Sequence, residues 1–323
     1  MNCNQISGFD WRNALNELLA GKKDALISNP EFTDHAFDAS EKMANTTEED
    51  KFALLMGEAE KTLQMIEPYL GDRTRLMEIG GGVGLVYALL RSKGYDIVSL
   101  EPGANGFGDR HRAGLHLMNT LGIDPGGWIK TGIEDFTPTQ PAFDLIFSYF
   151  TLEHLPDLEK AFQVMERALH NQGLMIHCCP NYNIPFEPHY NIPLIPVKPE
   201  WTASIFPGLK NKGLWQGLNF TTTQQISRLC GHHGLRPVFC RGMTAWAFER
   251  VLSDPIFAAR KKGFIKPARL LKKLGLLKVI RYCLPPSFDT PMQFTARKTK
   301  KRHPKQLKMT NSVSTQQHRI WTG

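Results

Sequence analysis

Residues 75–84 read Arg-Leu-Met-Glu-Ile-Gly-Gly-Gly-Val-Gly, a short apolar run that passes into a glycine-rich turn. Residues 85–92 continue with apolar side chains at helical spacing, so the segment predicts a strand, a tight turn and a helix. Glycines at 80, 82 and 84 allow the backbone to turn sharply and to approach a ligand closely. The stretch therefore predicts a nucleotide-type ligand at the carboxyl end of a strand in an open α/β sheet.

Strand-like and helical segments alternate along the chain on both sides of this turn. The further strand candidates are Tyr95–Leu100, Phe143–Tyr149, Leu174–Cys179, Leu235–Cys240 and Met292–Ala296. This alternation predicts an α/β fold with a doubly wound, mostly parallel sheet. Apolar side chains at helical spacing before residue 70 add two helices ahead of the sheet.

The same pass along the chain predicts its domain organisation. We expect a helical N-terminal cap over residues 1–70 and a sheet domain over 71–297. Two insertions interrupt the sheet domain: a proline-rich lid at 183–220, too long for a simple connection, and a basic helical insertion at 245–285. Residues 298–323 are polar and basic, which predicts a disordered tail.

Composition places the chain among ordinary globular proteins, with 41% hydrophobic and 22% charged residues. No uninterrupted apolar run approaches the length that crosses a bilayer, and the N-terminal residues lack a signal-peptide pattern, so we expect a cytoplasmic protein. The net charge of +8 is uneven. Residues 255–288 hold nine Lys or Arg and residues 298–323 hold seven, with no acids in either segment, so residues 1–254 carry a net charge of −8.

Two ligand classes compete for the glycine turn. A dinucleotide fingerprint, G-x-G-x-x-G, needs its third glycine at position 85, where the sequence has Leu85. An acid, Glu78, lies two residues before Gly80. A carboxylate beside the turn repels a pyrophosphate and attracts a ligand with ammonium and sulfonium groups, so the spacing favours a cationic ligand.

With Glu78, Gly80, Gly82 and Gly84 as its first motif, the sequence resembles the class I S-adenosylmethionine-dependent methyltransferases. Four further motifs follow in the family's order over about residues 71–180. They are Ser99-Leu100-Glu101-Pro102, Thr131-Gly132-Ile133-Glu134-Asp135-Phe136, Phe143–Tyr149 running into the L-E-H-L turn at 152–155, and Leu169–Leu174.

The resemblance implies roles for these positions. It implies a Rossmann-like, seven-stranded sheet. It also implies S-adenosylmethionine as the cofactor, with Glu101 on the ribose hydroxyls. The implied adenine loop is Gly132, Ile133 and Glu134, and Ser148 and Tyr149 are also implied as cofactor contacts. Gly132 stands where the family commonly has the acid that receives the adenine amino group, so Glu134 or backbone groups are expected to replace it. The turn before the fifth strand keeps only one glycine. These departures leave open a non-catalytic binding protein of the same fold and, third, an NAD-dependent dehydrogenase.

Methyl transfer needs an acceptor held in line with the sulfonium and, for a hydroxyl acceptor, a base. Candidates lie after the fourth and fifth strands, where open α/β sheets bind ligands. We expect His189 to be the base, with Glu187 orienting it and Tyr190 contacting the acceptor, and His154 as a second candidate. The expected acceptor is a small molecule, with the methyl group going to an oxygen of a glycan or lipid-linked intermediate.

The remaining patterns bear on metals and partners. The histidines show no H-x-x-x-H spacing backed by acids, so we expect no metal site. The six cysteines are scattered without a C-x-x-C pair, which predicts reduced packing residues. No nucleic-acid recognition module is visible, and we expect no nucleic-acid partner. Residues 260–281 combine leucines and basic residues as a helix on an anionic membrane surface does, which suggests peripheral contact at the inner face of the membrane.

Overall fold

The computed structural model describes residues 8–37, 47–103 and 109–299. Four helices come first: α1 (Trp11–Leu18), α2 (Lys23–Ile27), α3 (Pro30–Ala36) and α4 (Glu48–Ile66). Thr47 caps α4 in a capping box with Asp50, which explains why the long helix begins there. These helices cover one face of the sheet.

A seven-stranded sheet forms the centre of the protein. Its strands are β1 (Arg75–Ile79), β2 (Asp96–Leu100), β3 (Trp128–Ile129), β4 (Phe143–Tyr149), β5 (Leu169–Cys179), β8 (Leu235–Phe239) and β9 (Met292–Lys298). The order across the sheet is β3-β2-β1-β4-β5-β9-β8. Neighbours from β3 to β5 pair in parallel, whereas β9 is antiparallel to both β5 and β8. The mostly parallel, doubly wound sheet predicted from the sequence is confirmed.

Helices between the strands cover both faces of the sheet. They are α5 (Leu85–Ser92), α6 (Arg110–Leu121), α7 (Leu158–Ala168) and α10 (Thr223–His232). One buried cluster joins the N-terminal helices, α5 and α6 to one face and includes Leu63, Tyr87 and Phe147. A second cluster joins α7 and α10 to the other face and includes Phe162 and Ile226. Apolar side chains thus hold helices on each side, as parallel sheets require.

Two insertions lie at the carboxyl edge of the sheet. The lid contains β6 (Phe186–Glu187), β7 (Ile192–Pro193), α8 (Thr202–Ile205) and α9 (Gly213–Gln216). The lid has a small hydrophobic core of its own, which includes Tyr182, Leu209 and Trp215. The second insertion is helical: α11 (Met243–Ser253), α12 (Pro255–Arg260), α13 (Lys262–Lys273) and α14 (Leu276–Cys283).

Several sequence expectations can be compared with these elements. Strands β1 and β4 and helix α5 begin and end at the predicted residues, whereas the two-residue β3 was not predicted. Cys240 is disulfide-bonded, so the expectation of six reduced cysteines is wrong there. No helix within the described ranges is long and apolar enough to cross a membrane. The tail beyond residue 299 lies outside the described residues.

Two acids lie buried in this core near the carboxyl edge of the strands. Glu78 is 5% exposed and Glu153, in the turn after β4, is fully buried. Burial raises the pKa of each carboxyl group to about 8, because a charge is poorly solvated there. Both groups are therefore largely protonated at neutral pH in the unliganded protein.

The close packing of α6 against β3 predicts that one methyl group added at Gly114 destabilises the protein. A Cβ at Gly114 would lie 2.6 Å from Cε2 of Trp128, and the indole is held by a 3.0 Å bond from its Nε1 to the His111 carbonyl. We expect Gly114→Ala to lower the free energy of unfolding by about 1–3 kcal/mol, measured by urea denaturation. Gly231→Ala is the matched control, since it lies in α10 with open space around it and should stabilise by about 0.5 kcal/mol. Equal effects at the two sites would contradict this packing.

The raised pKa values predict how stability changes with pH. The unfolded chain ionises Glu78 and Glu153 near pH 4.5 while the folded chain retains both protons up to about pH 8. The unfolded state thus binds fewer protons, and the free energy of unfolding should fall by about 1.4 kcal/mol per pH unit for each group across this window. Urea denaturation of Glu78→Gln at several pH values should show the free energy of unfolding falling less steeply with pH than in the wild type, by the contribution of one group, about 1.4 kcal/mol per pH unit. The exposed Glu17→Gln serves as control, and an unaltered slope in Glu78→Gln would refute the assignment.

Candidate functional site

A large crevice opens at the carboxyl edge of the sheet, where the loops after β1, β2, β4 and β5 meet. Its cavity measures about 2030 Å³, more than the 300–1,000 Å³ of an ordinary single-ligand pocket. The loops form its floor, and the lid, α4, α11 and α12 form its walls. The crevice therefore has room for two ligands side by side.

The glycine turn forms the floor of the crevice through its backbone. Gly80 and Gly82 have positive φ angles of 75° and 59°, which L side chains rarely adopt. A Cβ at Gly80 would lie 2.5 Å from Oγ1 of Thr151, so β1 and the turn after β4 approach closely only because it is absent. Gly82 has open space instead, with nothing within 4 Å of an added Cβ. Bare backbone thus faces the cavity at Gly82.

Glu101 ends β2 beside this turn and is 6% exposed. Its Oε2 accepts a hydrogen bond from the Gly82 amide at 2.8 Å, and its Oε1 accepts one from the Gly103 amide at 3.0 Å. Burial raises the pKa of this carboxyl group, while the Gly103 bond and the charge of Arg110 oppose the rise. Both oxygens are fixed at the edge of the cavity, oriented to accept further hydrogen bonds.

Glu78 and Gly84, two other residues of the first motif, support the turn without lining the cavity. Oε2 of Glu78 accepts a 2.7 Å hydrogen bond from Ser99 on the neighbouring strand. Gly84 is the N-cap of α5 and packs against α6. Both residues therefore support the glycine turn without forming part of the cavity surface.

The loop after β3 forms another side of the floor. Gly132, Ile133 and Glu134 line the cavity, and Ile133 is fully buried. Oε1 of Glu134 lies 3.5 Å from the Asp157 amide, at the limit of a hydrogen bond. The loop offers an apolar surface beside backbone groups and one carboxylate.

Ser148 and Tyr149, both implied as cofactor contacts by the resemblance, point to different sides of the sheet at the end of β4. Tyr149 lines the cavity, and burial raises the pKa of its phenol while the charge of Arg250 lowers it. Ser148 points to the other face, where its Oγ shares a 2.7 Å hydrogen bond with Nδ1 of the buried His177. Ser148 is not among the residues that line the cavity, so the structure does not bring it to the cofactor side.

The lid brings a hydrogen-bonded acid and histidine to the cavity. Strands β6 and β7 pair as a small hairpin whose turn, residues 188–191, carries His189. Oε1 of the fully buried Glu187 lies 2.6 Å from Nδ1 of His189, and its Oε2 accepts a 2.7 Å bond from the Tyr190 amide. Burial raises the pKa of Glu187, but these bonds and the His189 charge outweigh it, so the pKa lies below its usual value. An ionised Glu187 therefore fixes the imidazole with its proton on Nδ1.

His154 meets His189 across the crevice. It lies in the short 3₁₀ turn Leu152–His154, and the two imidazole centroids are 5.1 Å apart. Burial, followed by the charges of His189 and Arg110, holds the pKa of His154 well below its usual value. Both histidines and Tyr190 line the cavity, so the structure brings the four acceptor-side residues predicted from the sequence into one group.

Some residues of this region could not be identified from any pattern in the sequence. Tyr182 donates from its hydroxyl to Oε1 of Glu187 at 3.3 Å, and Arg250 lines the cavity from α11. Oε1 of Glu153 lies 3.8 Å from Nε2 of His154. The linear spacing of histidines also concealed the proximity of Glu153, His154 and His189, which come from segments more than thirty residues apart.

Comparison with known proteins adds to this geometry. A family model described as a methyltransferase domain matches residues 53–239, more than half of the chain. Two curated relatives from Mycobacterium tuberculosis strains, both uncharacterized, are 32% identical over 202 residues, which cover 60% of this chain and 68% of theirs.

Solved structures show more distant likeness. Phosphoethanolamine N-methyltransferase 2 from Haemonchus contortus is 13% identical with a TM-score of 0.47, and the match covers 90% of this chain and 60% of that enzyme. Geranyl diphosphate C-methyltransferase from Streptomyces coelicolor is also 13% identical, with a TM-score of 0.49, and the match covers 90% of this chain and 97% of that one. The range matched by the family model contains the glycine turn and strands β1 to β5. The chain belongs to the methyltransferase-domain family and is an S-adenosylmethionine-dependent methyltransferase.

Proposed function

We propose that this methyltransferase methylates a hydroxyl oxygen of a small molecule, of the glycan or lipid-linked class. The observation that carries the proposal is the pairing of His189, which lines the cavity, with the buried Glu187 behind it, with 2.6 Å between Oε1 and Nδ1. A hydroxyl is a weak nucleophile unless its proton is removed, and an imidazole held by a carboxylate is the usual base near neutral pH.

In this proposal the cofactor lies along the floor of the crevice. Glu101 accepts hydrogen bonds from the two ribose hydroxyls, for which its fixed oxygens are suited. The backbone at Gly80 and Gly82 contacts the amino-acid portion of the cofactor. Adenine lies against the loop of Gly132, Ile133 and Glu134, with Glu134 in place of the acid that Gly132 lacks.

The transfer itself is an in-line displacement at the methyl carbon. The bond from sulfur to the methyl carbon breaks as the bond from the acceptor oxygen forms, and the hydroxyl proton passes to Nε2 of His189. Glu187 holds the proton on Nδ1, which leaves Nε2 in the form that accepts a proton. Tyr190 contacts the acceptor, and the lid limits the access of water to the sulfonium.

The cavity walls support an amphiphilic acceptor. Apolar side chains such as Phe186, Ile205 and Phe257 line it, together with basic residues that include Arg260 and Lys262. An acceptor with an apolar portion and an anionic portion matches both surfaces. Lipid-linked glycans with a phosphate linkage have this chemistry.

We propose as a second function that the helical insertion contacts an anionic membrane. Four apolar side chains in α13, in α14 and at the C-cap of α13 are more than half exposed: Leu270 (57%), Leu274 (58%), Val279 (52%) and Tyr282 (59%). Residues 255–288 carry nine basic residues and no acid. Exposed apolar groups among basic ones are typical of helices that lie on anionic lipid surfaces. In this arrangement the enzyme works at the cytoplasmic face of the inner membrane.

The base assignment predicts a separation of turnover from cofactor binding. With a polyprenyl-diphosphate-linked disaccharide and its water-soluble methyl glycoside as probes, we expect His189→Gln to lower kcat at least about 100-fold, since it removes the base. Its affinity for S-adenosylmethionine, measured by calorimetry, should stay unchanged. Glu101→Ala should show the converse, with cofactor affinity lowered about 10–100-fold by the loss of charge-assisted hydrogen bonds.

Matched variants control both measurements. The exposed His170→Gln tests the loss of any histidine, and Asp96→Ala removes an acid from the opposite end of β2. Neither should alter turnover or cofactor affinity. An unchanged kcat in His189→Gln, or methylation of an amine probe in preference to both hydroxyl probes, would refute the proposal.

Membrane contact predicts binding that depends on both charge and apolar side chains. We expect the protein to sediment with phosphatidylglycerol vesicles at low salt and to dissociate at about 0.5 M salt, because salt screens the charges. The double variant Leu270→Gln/Leu274→Gln should bind several-fold more weakly. Leu115→Gln, which alters an exposed leucine of α6, should bind like the wild type. The absence of binding at low salt would exclude the membrane function.

A further inference from the structure

Three metal-ligating side chains converge at the acceptor end of the crevice. Glu153, His154 and His189 each offer a ligand atom, and these atoms lie within 4.8 Å of one another. Two of them come from the turn after β4 and the third from the lid hairpin. Two imidazoles and one carboxylate are a common ligand set for zinc and similar transition metals.

Glu153 provides an independent indication that a cation can bind here. It is fully buried, and within the described ranges neither carboxylate oxygen accepts a hydrogen bond from another residue. Its Oε1 lies 3.8 Å from Nε2 of His154, beyond hydrogen-bond distance. A buried carboxyl group without hydrogen bonds is costly, and a bound cation would satisfy it.

The hydrogen bond between Glu187 and His189 is of the kind that metal-binding imidazoles usually make with a carboxylate. A ligating histidine usually donates its other ring N–H to a carboxylate, which fixes the tautomer and makes the ligating nitrogen more basic. The 2.6 Å contact between Oε1 of Glu187 and Nδ1 of His189 provides this arrangement and assigns Nε2 to a cation.

We infer that Glu153, His154 and His189 form a binding site for one divalent transition-metal ion of the zinc class, and that the bound ion blocks the base of the transferase. The blocking effect rests on the proposed function, because it requires Nε2 of His189 to be the base. That lone pair cannot accept the acceptor's proton while it is donated to a metal. With bonds of about 2.0–2.1 Å, two ligand atoms lie at most about 4.2 Å apart, so the lid must close slightly on the ion.

A second group of Glu159, His232 and His233 lies on the surface between α7 and α10. Its carboxylate already pairs with both imidazoles, at 2.9 Å and 2.8 Å, and is half exposed. This group has no buried, unsatisfied oxygen, and it serves as the internal control. The double variant His232→Ala/His233→Ala removes it, so that binding to the crevice site can be measured alone.

The test is a titration of metal-stripped protein with Co²⁺, which reports its coordination by visible absorption. In the His232→Ala/His233→Ala background we expect one Co²⁺ per chain with the spectrum of a four- or five-coordinate site. Adding Glu153→Gln or His189→Gln should lower the affinity at least 10-fold, and Glu187→Gln should lower it about 10–100-fold. Calorimetry with S-adenosylmethionine verifies that each variant is folded.

The outcomes separate the metal site from the proposed function. No Co²⁺ binding in the background protein, or binding that Glu153→Gln and His189→Gln leave unaltered, would overturn the site. For the blocking effect, Zn²⁺ should slow methylation of the hydroxyl probes and a chelator should restore it, and faster turnover with metal would overturn that part. Loss of the proposed function alone would appear as site-dependent Co²⁺ binding without methylation of any hydroxyl probe, whether or not metal is present.

Discussion

The close approach of the glycine turn to its neighbours is the constraint on which the site depends. Gly80 packs against Thr151 in the turn after β4, and Gly81 packs against Ser99 and Trp128 from β2 and β3. A Cβ at either position would force these elements apart. Because they stay together, the Gly82 amide reaches Glu101 at 2.8 Å, and the turn that carries His154 lies beside the floor of the crevice.

Four buried carboxyl groups surround this crevice, and each is stabilised differently. Glu187 is paired with His189 and ionises readily, while Glu101 is supported by two backbone amides. Glu78 has one hydroxyl donor, and Glu153 has no donor on any other described residue, so burial raises the pKa of both to about 8. Of these four groups, Glu187 has a pKa below its usual value, whereas burial raises the pKa of the other three.

The convergence of the residues expected to bind the cofactor follows from the sequence for a physical reason. Parallel strands place their carboxyl ends at one edge, so the order of Glu78, Glu101 and Gly132 along the chain already implies that they converge. Strand β3 was missed because two residues, Trp128 and Ile129, are too few to show a periodicity. Ser148 was grouped with the cofactor residues, although the alternation of side chains along β4 directs it toward His177 instead.

On the acceptor side, the sequence named His154 and His189 separately but could not show that their rings lie 5.1 Å apart. That distance depends on a four-residue hairpin turn and on the packing of the lid. The cavity walls from α4 and α11 likewise arise from long-range packing that no local pattern encodes. The disulfide at Cys240 also lay beyond any pattern in the spacing of the cysteines.

The helical insertion connects the acceptor side of the crevice with the exposed leucines of α13. Lys261 donates to the Pro188 carbonyl and to Oδ1 of Asn191, and Asn191 donates back to the Arg260 carbonyl at 3.1 Å. These contacts lie on either side of His189 in the hairpin turn, and Phe186 stacks edge-on against Phe264 of α13 with centroids 5.2 Å apart. The hairpin turn that carries His189 is therefore bonded to the insertion on both sides of that residue, so the position of His189 depends on the packing of α12 and α13 as well as on the lid.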